Sequence, residues 1–524
     1  MQQLGTFYQK HHYIVAFAVI LVFWALFYAI TGTYKSGFHL TDDHEIIELY
    51  HNATTASLGF INHAYGYIHS DIFGTGRFRP FYYTFRFIQI AVLKTDQRVW
   101  SICLAGLAVI TSFFFYVFAK KLTKSTVLAA LFVAWLLVGR QMAIWWRLGP
   151  AETIGTVLLS VALLLMILAA QHRRYRLWYE ISFIIAITLM SLVKESFVMV
   201  IPGMIALKYF LQIKDGRKLN TVDYLWLVVP LLVGLAEILF IKFGMKMGGL
   251  SYAGVEGFMP LRYFFIFRTI LGFNGWSLVA LAAVLSILIV GVSSSQELMT
   301  RCRRLVVELR WPIFIVLLII LPQSVLYAKS GINADRYILP STLALGLGVV
   351  WLMQKLRDDK QNYWLYLALV IINVYFLFGA LQTTLLKAKS YSAEGQETRA
   401  MLQSIKLNTG ASSNVVIVSD PSVTPEWSSS IKTFISTESD RANLYALPIS
   451  NNAAQQSTFQ QNPSSFCGNK CSVNITDTSK IDAVLVFSDV LTLFQANPPS
   501  WFNLSDFSCQ ISGNYLQFTL CVRK

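Results

Sequence analysis

The sequence predicts a polytopic α-helical membrane protein of roughly eleven transmembrane helices, followed by a C-terminal α/β domain outside the cytoplasm. Three observations carry that prediction. Hydrophobic residues make up 55% of the 524 and charged ones only 14%, which leaves too little polar surface to clothe a water-soluble core of ordinary size. The apolar residues gather in long, almost charge-free runs through the first three-quarters of the chain. Lys and Arg concentrate in short loops between alternate runs, as the positive-inside rule expects.

The runs cover residues 13–30, 99–119, 126–138, 153–170, 224–241, 276–292, 312–328, 337–353 and 363–382. Most approach the ~20 residues needed to cross a hydrocarbon core. The stretch 181–211 is too long for one crossing and is interrupted by Lys194-Glu195, so it reads as two helices meeting at a charged break. The first run lacks a small-residue cleavage site at Ile30-Thr31-Gly32 and exceeds a typical signal-peptide core, so it reads as a retained first helix.

The net charge of +15 does not point to nucleic acid. From Lys387 onward Lys and Arg balance Asp and Glu, so the whole excess lies in the membrane part. It clusters at Lys120-Lys121-Lys124, Arg173-Arg174-Arg176, Lys208 with Lys214-Arg217-Lys218, Arg301-Arg303-Arg304-Arg310 and Lys355-Arg357-Lys360. Taking these loops as cytoplasmic puts the loop 31–98, the segments near Arg147, Lys194 and Arg336, and the C-terminal domain on the opposite face.

Two domains follow: residues 1–386, membrane-embedded and including the exported loop 31–98, and residues 387–524, soluble and extracytoplasmic. Cysteine usage agrees, because Cys467, Cys471, Cys509 and Cys521 all fall in the exported domain, where disulfides persist. Proximity in sequence favours Cys467–Cys471 and Cys509–Cys521. A zinc site is the rival reading, weakened by the absence of histidine from that domain. Its β-branched runs 415–418 and 483–487 read as buried, parallel strands and 518–522 as a last strand, with 450–480 as a long polar loop. No Gly-Lys-Ser/Thr phosphate loop occurs, which argues against an ATP-driven pump.

Long loops inside compact domains are usually functional, which directs attention to 31–98. Asp42-Asp43-His44-Glu45 opens a stretch with helical apolar spacing, expected to lie as a short helix at the membrane interface, with a second, aromatic-rich helix near 81–87. Adjacent carboxylates at a membrane surface suit a general base or a cation site. They equally suit an N-cap, with Thr41 or Asp42 capping and Glu45 in the first turn.

Other charged groups converge on the same face. Arg77 and Arg79, in Gly76-Arg77-Phe78-Arg79-Pro80, could grip a phosphate or only snorkel to headgroups. Trp145-Trp146-Arg147 precedes Glu152: the tryptophans could anchor at the interface or face a sugar ring, and Arg147 with Glu152 could be a simple ion pair. Lys194-Glu195 sits where an unpaired charge is costly, either functional or self-neutralising. Arg336-Tyr337 opens a late helix, and Glu237 lies inside a span. Together these would suit a substrate with an anionic head and a lipid tail.

This arrangement resembles the GT-C superfamily of polyprenyl-phosphate-dependent glycosyltransferases, through Asp42-Asp43-His44-Glu45, Arg77-Phe78-Arg79-Pro80, Lys194-Glu195 and Arg336-Tyr337 with Pro340. The resemblance covers residues 1–382 and leaves the C-terminal domain unexplained. It implies inverting transfer of one sugar from an undecaprenyl- or dolichyl-phosphate carrier to a glycan or lipid-linked glycan acceptor, such as O-antigen, lipopolysaccharide or another surface polysaccharide. The site would lie on the periplasmic side of a bacterial inner membrane. Carried over by position, Asp42 or Asp43 is the general base. Arg77, Arg79, Lys194 and Arg336 bind the donor phosphate, and His44, Glu45, Trp146, Arg147, Glu152, Glu195 and Tyr337 bind substrate. Some members use a divalent cation, Mg or Mn, at the acidic motif and others do not. Here His44, not a third carboxylate, follows the pair.

Three rival readings remain at this level. A lipid-linked saccharide flippase or transporter would string charges between the two faces. A polysaccharide polymerase or ligase would carry a large late exported loop. A scaffold would work through its C-terminal domain.

Overall fold

The computed structural model describes all residues except 1, 56–58, 75–76, 173, 215–218, 246–259, 273–293, 331–334, 359–362, 411–412, 425, 439–441, 464–474 and 476–477. It divides the chain into two compact units. One comprises residues 1–28, 64–88 and 103–386, and the other 29–63, 89–102 and 387–524. The division at 386/387 coincides with the sequence boundary. The second unit also takes in much of the loop 31–98, which the sequence reading grouped with the membrane part.

Among the described residues eight helices are long and apolar enough to cross a membrane: His11–Thr31, Gln97–Thr123, Glu152–Gln171, Glu195–Lys214, Thr221–Gly244, Val306–Ala328, Leu339–Asp358 and Tyr363–Asn408. Three further spans were expected. Thr126–Leu137 forms a helix of only 12 residues, Arg176–Ser191 one of 16, and 276–292 lies outside the described residues. With the sheet described below, the chain is a polytopic helical membrane protein carrying a small C-terminal sheet domain.

Burial separates central from peripheral helices. The membrane window of Leu339–Asp358 is 83% buried, whereas those of His11–Thr31 and Thr221–Gly244 are 22% buried and turn apolar side chains outward, as lipid-facing helices do. Small residues permit the closest approaches: a Cβ on Gly155 would stand 2.2 Å from the Phe197 ring, and one on Gly203 2.2 Å from Ile319 Cγ1. Local chemistry sets the helix starts. Ser125 accepts from the Leu128 N–H, and Asn220 with Asp223 forms a reciprocal capping box.

Three of these helices are tied together by buried charge. Lys208 donates to Glu180 and to the Trp226 carbonyl, while Arg176 pairs with Asp223 and lies 3.6 Å from Glu180. In a low-dielectric interior each of these charges is tolerable only with its partner in place.

The second unit is built on a five-stranded sheet of order β2-β1-β3-β5-β4, with β1 Ser413–Ser419, β2 Ala442–Pro448, β3 Ile481–Phe487, β4 Phe507–Ser512 and β5 Phe518–Arg523. The β1 strand runs parallel to both β2 and β3, as the apolar runs predicted, while β5 pairs antiparallel with β3 and β4. Cys509 and Cys521 form the expected disulfide across β4 and β5. The pair Cys467–Cys471 lies outside the described residues. Part of the expected loop 450–480 is a helix, Ala453–Gln461, started by Asn452 accepting from the Ala454 and Gln455 N–H groups.

The helix expected at the membrane interface forms as His44–Thr55, but its apolar face is spent elsewhere. Leu40 and Ile47 join the core made by Val415–Val418, Ala483–Phe487, Phe434, Met401 and Ile405. An amphipathic stripe records that a face is buried, and it is silent on whether lipid or protein covers it.

Beyond the C-terminal ends of the parallel strands, Asp420 Oδ1 accepts from the Ser422 N–H and hydroxyl, and Oδ2 from the Ser450 hydroxyl at 2.6 Å. Burial alone would push this carboxyl up, but those hydrogen bonds outweigh it and hold Asp420 below the usual carboxylate range. Asp489 moves the other way, raised first by burial and then by the Asp420 charge.

Candidate functional site

The predicted site residues fall into two groups, one in each unit. In the first unit, the extended backbone at Lys194 links Arg176–Ser191 to the short helix Glu195–Val198. Lys194 Nζ donates to Glu152 Oε1 at 2.5 Å and stands 3.6 Å from the centre of the Tyr337 ring. Glu152 opens the Glu152–Gln171 helix and is 1% exposed. It is paired with Lys194, a partner the sequence reading did not assign to it. The Arg336 guanidinium carbon lies 5.4 Å from the centre of the Tyr337 ring, so the two cations share one aromatic neighbour. The Arg336 and Glu195 charges both act on Lys194.

Tyr337 is held from behind. Tyr327 donates its hydroxyl to the Tyr337 carbonyl and stacks on its ring at 6.0 Å. One helical turn away, Gln323 donates to the Ser196 carbonyl and accepts from Ser341. None of Tyr327, Gln323 and Ser341 was singled out from the sequence, because each is a lone polar residue in an apolar run. Glu237, inside the Thr221–Leu239 helix, is buried.

The Arg77–Arg79 motif folds against the same region. Phe81 N–H donates to the Leu192 carbonyl, and Tyr82 and Tyr83 pack with Ala151, Ile154 and Val193. Arg79 is engaged by Asp71 at 3.2 Å and by the Tyr83 hydroxyl at 2.8 Å, and its guanidinium lies over the Tyr82 and Tyr83 rings. Asp71 was not foreseen: eight residues ahead of Arg79, it has no motif to mark it. The Arg77 N–H donates to the Asp71 carbonyl. Trp145 and Trp146 are both buried, against Trp24 and Phe27 respectively.

The acidic motif sits in the second unit. Asp43 is fully buried; its Oδ2 accepts from the His39 N–H at 3.0 Å and lies 3.3 Å from His39 Nδ1, while Oδ1 has no hydrogen-bond partner. His39 Nε2 is 2.7 Å from the Tyr391 carbonyl and its ring stacks on that of Tyr391 at 3.5 Å. A carbonyl only accepts, so Nε2 carries a hydrogen. Asp42 differs. It is half-buried, adopts a left-handed φ of 66°, and its N–H donates to Glu426 Oε2. His44 Nδ1 meets Ser430 Oγ at 2.8 Å, and that hydroxyl also serves the Leu40 carbonyl. Glu45 lies in the first turn of His44–Thr55.

Among the described residues no group of three His, Cys, Asp or Glu side chains is gathered to hold a metal ion. With one Asp43 oxygen already committed to His39, the folded acidic motif does not present a ready ligand set for Mg or Mn.

Comparison with known proteins adds the following. Residues 81–240, less than a third of the chain, match the model of the dolichyl-phosphate-mannose-protein mannosyltransferase family. No curated protein matches the chain in sequence. Two crystal structures of ArnT from Cupriavidus metallidurans, one bound to undecaprenyl phosphate and one in the apo state, are similar over 98% of both chains, with 11% identity and a TM-score of 0.49. That likeness is too distant to transfer a residue or a ligand. The matched segment includes Tyr82, Tyr83, Glu152, Lys194 and Glu195, and over residues 81–240 the GT-C resemblance drawn from the motifs is borne out.

Proposed function

We propose that this protein is an inverting glycosyltransferase that moves a single sugar from a polyprenyl-phosphate carrier to a glycan or lipid acceptor. The observation that carries this reading is the placement of Lys194 and Arg336 on one aromatic ring beside Glu152, within the end of an apolar helix bundle. Such a cluster suits a phosphate whose lipid tail stays in the bilayer. The family match over 81–240 supports it, since that family is described by a lipid-phosphate-linked sugar donor.

In the reaction, the acceptor hydroxyl oxygen attacks the anomeric carbon, the bond from that carbon to the phosphate oxygen breaks, and its electron pair leaves with the phosphate. The hydroxyl proton goes to a base. Asp42 or Asp43, the carboxylates of the acidic motif, would fill that role, with Asp43 Oδ2 oriented by His39. Lys194 and Arg336 would offset the second negative charge that develops on the leaving phosphate, where a positioned donor contributes about 10²–10³ in rate. Mannose, named in the family's description, is the first sugar to try. We take the acceptor to be O-antigen or another surface polysaccharide, a reading that goes with a site on the periplasmic face of a bacterial inner membrane.

The test incubates purified protein with polyprenyl-phosphate sugars and candidate acceptors, comparing the wild type with Asp42→Asn and Asp43→Asn. Asparagine tolerates the left-handed backbone at position 42, so loss of transfer there reports chemistry. Transfer untouched by either change would sink the assignment of the base. Absence of transfer from every donor would favour a flippase, a polymerase or ligase, or a scaffold.

A further inference from the structure

We propose that Glu152 sets the charge selectivity of the phosphate site, disfavouring the spent carrier phosphate relative to the sugar-linked donor. The inference rests on the donor reading above. The donor is a phosphodiester with one negative charge. Once the sugar leaves, the carrier is a phosphate monoester, close to doubly charged at neutral pH because its second pKa is near 6. An enzyme whose cations bind phosphate without restraint would hold its own product more tightly than its substrate.

The charges around Lys194 supply that restraint. Lys194 and Arg336 are the cations, and Glu152 and Glu195 the anions whose fields reach Lys194. Only Glu152 is bonded to the Lys194 ammonium, and Glu152 is buried, so water screens its charge poorly. Any phosphate that approaches Lys194 meets Glu152 on the same ammonium group. The repulsion scales with the phosphate charge and is felt more by the dianionic product than by the monoanionic donor. If Glu152 served only to hold Lys194 in place, its loss would weaken the dianion at least as much as the monoanion, and the ratio would not move toward the dianion. Glu152 is thus a selectivity residue acting through charge, and the reacting atoms need not touch it.

The experiment measures binding of two probes to the full-length protein in lipid nanodiscs at pH 8.5: farnesyl phosphate, a dianion, and its methyl ester, a monoanion. The readout is the ratio of their dissociation constants within each variant, which is independent of the folded fraction. Glu152→Gln is expected to shift the ratio toward the dianion by about tenfold, the scale of one unit charge acting at close range near a protein surface. Glu152→Asp, which keeps the charge, is expected to stay near wild type. Should Glu152→Gln fail to fold, Glu152→Met offers a second uncharged replacement of similar length. A ratio unchanged in the neutral variant overturns the role of Glu152 while leaving the transferase reading standing. Failure of both probes to bind wild type overturns both.

Discussion

Two groups of buried charge in the membrane unit make an instructive pair. Around Lys208 every charge faces an opposite one: Glu180 meets Lys208 and Arg176, Asp223 meets Arg176, and a carbonyl takes a further Lys208 hydrogen. Lys208 is 2% exposed. Around Lys194 the ammonium has one carboxylate and an aromatic face, and it remains 19% exposed. The first arrangement is closed to ligands and joins helices. The second keeps donor capacity that an arriving anion can use. Ionisable residues in a membrane are functional candidates by default, yet the contrast teaches that a partner count and access separate the staple from the site.

The sharpest way to break this comparison is Lys208→Met. Removing one member of a buried pair strands Glu180, at a cost of about 3–5 kcal/mol. Thermal unfolding in detergent should show it, with turnover per folded molecule preserved. Pairing that change with Glu180→Leu should recover most of the loss, since apolar replacement of a buried pair is often neutral. Lys194→Gln should lower transfer by about 10²–10³-fold, and because the glutamine amide can still donate to the buried Glu152 carboxylate it should destabilise less than Lys208→Met. If Lys194→Gln instead destabilises as much as Lys208→Met, the two clusters are of one kind.

The sheet domain offers smaller effects of the same logic. Asp420→Ala removes an acceptor shared by Ser422 and Ser450 and should cost about 1–3 kcal/mol in chemical denaturation. Its pH signature follows from the lowered Asp420 carboxyl. The stabilisation is complete above the unfolded value of about 3.9 and fades as pH falls through the lower folded value. Asp489, raised by burial and by Asp420, has the opposite sign and costs stability once pH rises through its folded value. Asp489→Asn should therefore stabilise the protein slightly at pH 7, by up to about 0.5 kcal/mol, and the gain should shrink in the Asp420→Ala background, where burial alone still opposes the charge.

The sequence was most informative where physics acts locally. Apolar runs marked the spans, β-branched runs marked β1 and β3, and adjacent cysteines in a hairpin found their bridge. Other elements depend on what they meet. The β2 strand, Ala-Asn-Leu-Tyr-Ala-Leu-Pro, has no β-branched residue and is a strand because β1 pairs with it in register. The β4 strand is largely exposed and is fixed by β5. The candidate site was half legible: Lys194, Arg336 and Tyr337 do gather, but Glu152 as the partner of Lys194, and Asp71 as that of Arg79, are tertiary choices among several nearby carboxylates. The acidic motif was visible as a pair, whereas the difference between its members comes from His39 and Tyr391, 352 residues apart.

The bridge between Cys509 and Cys521 has a use beyond stability. A thiol pair oxidises only where the compartment allows it. The redox state of this bridge in living cells is accordingly a postal mark for the compartment that receives the sheet domain. Alkylation with a thiol reagent before and after reduction would read it, with Cys103 and Cys302, which are not bridged, as internal references.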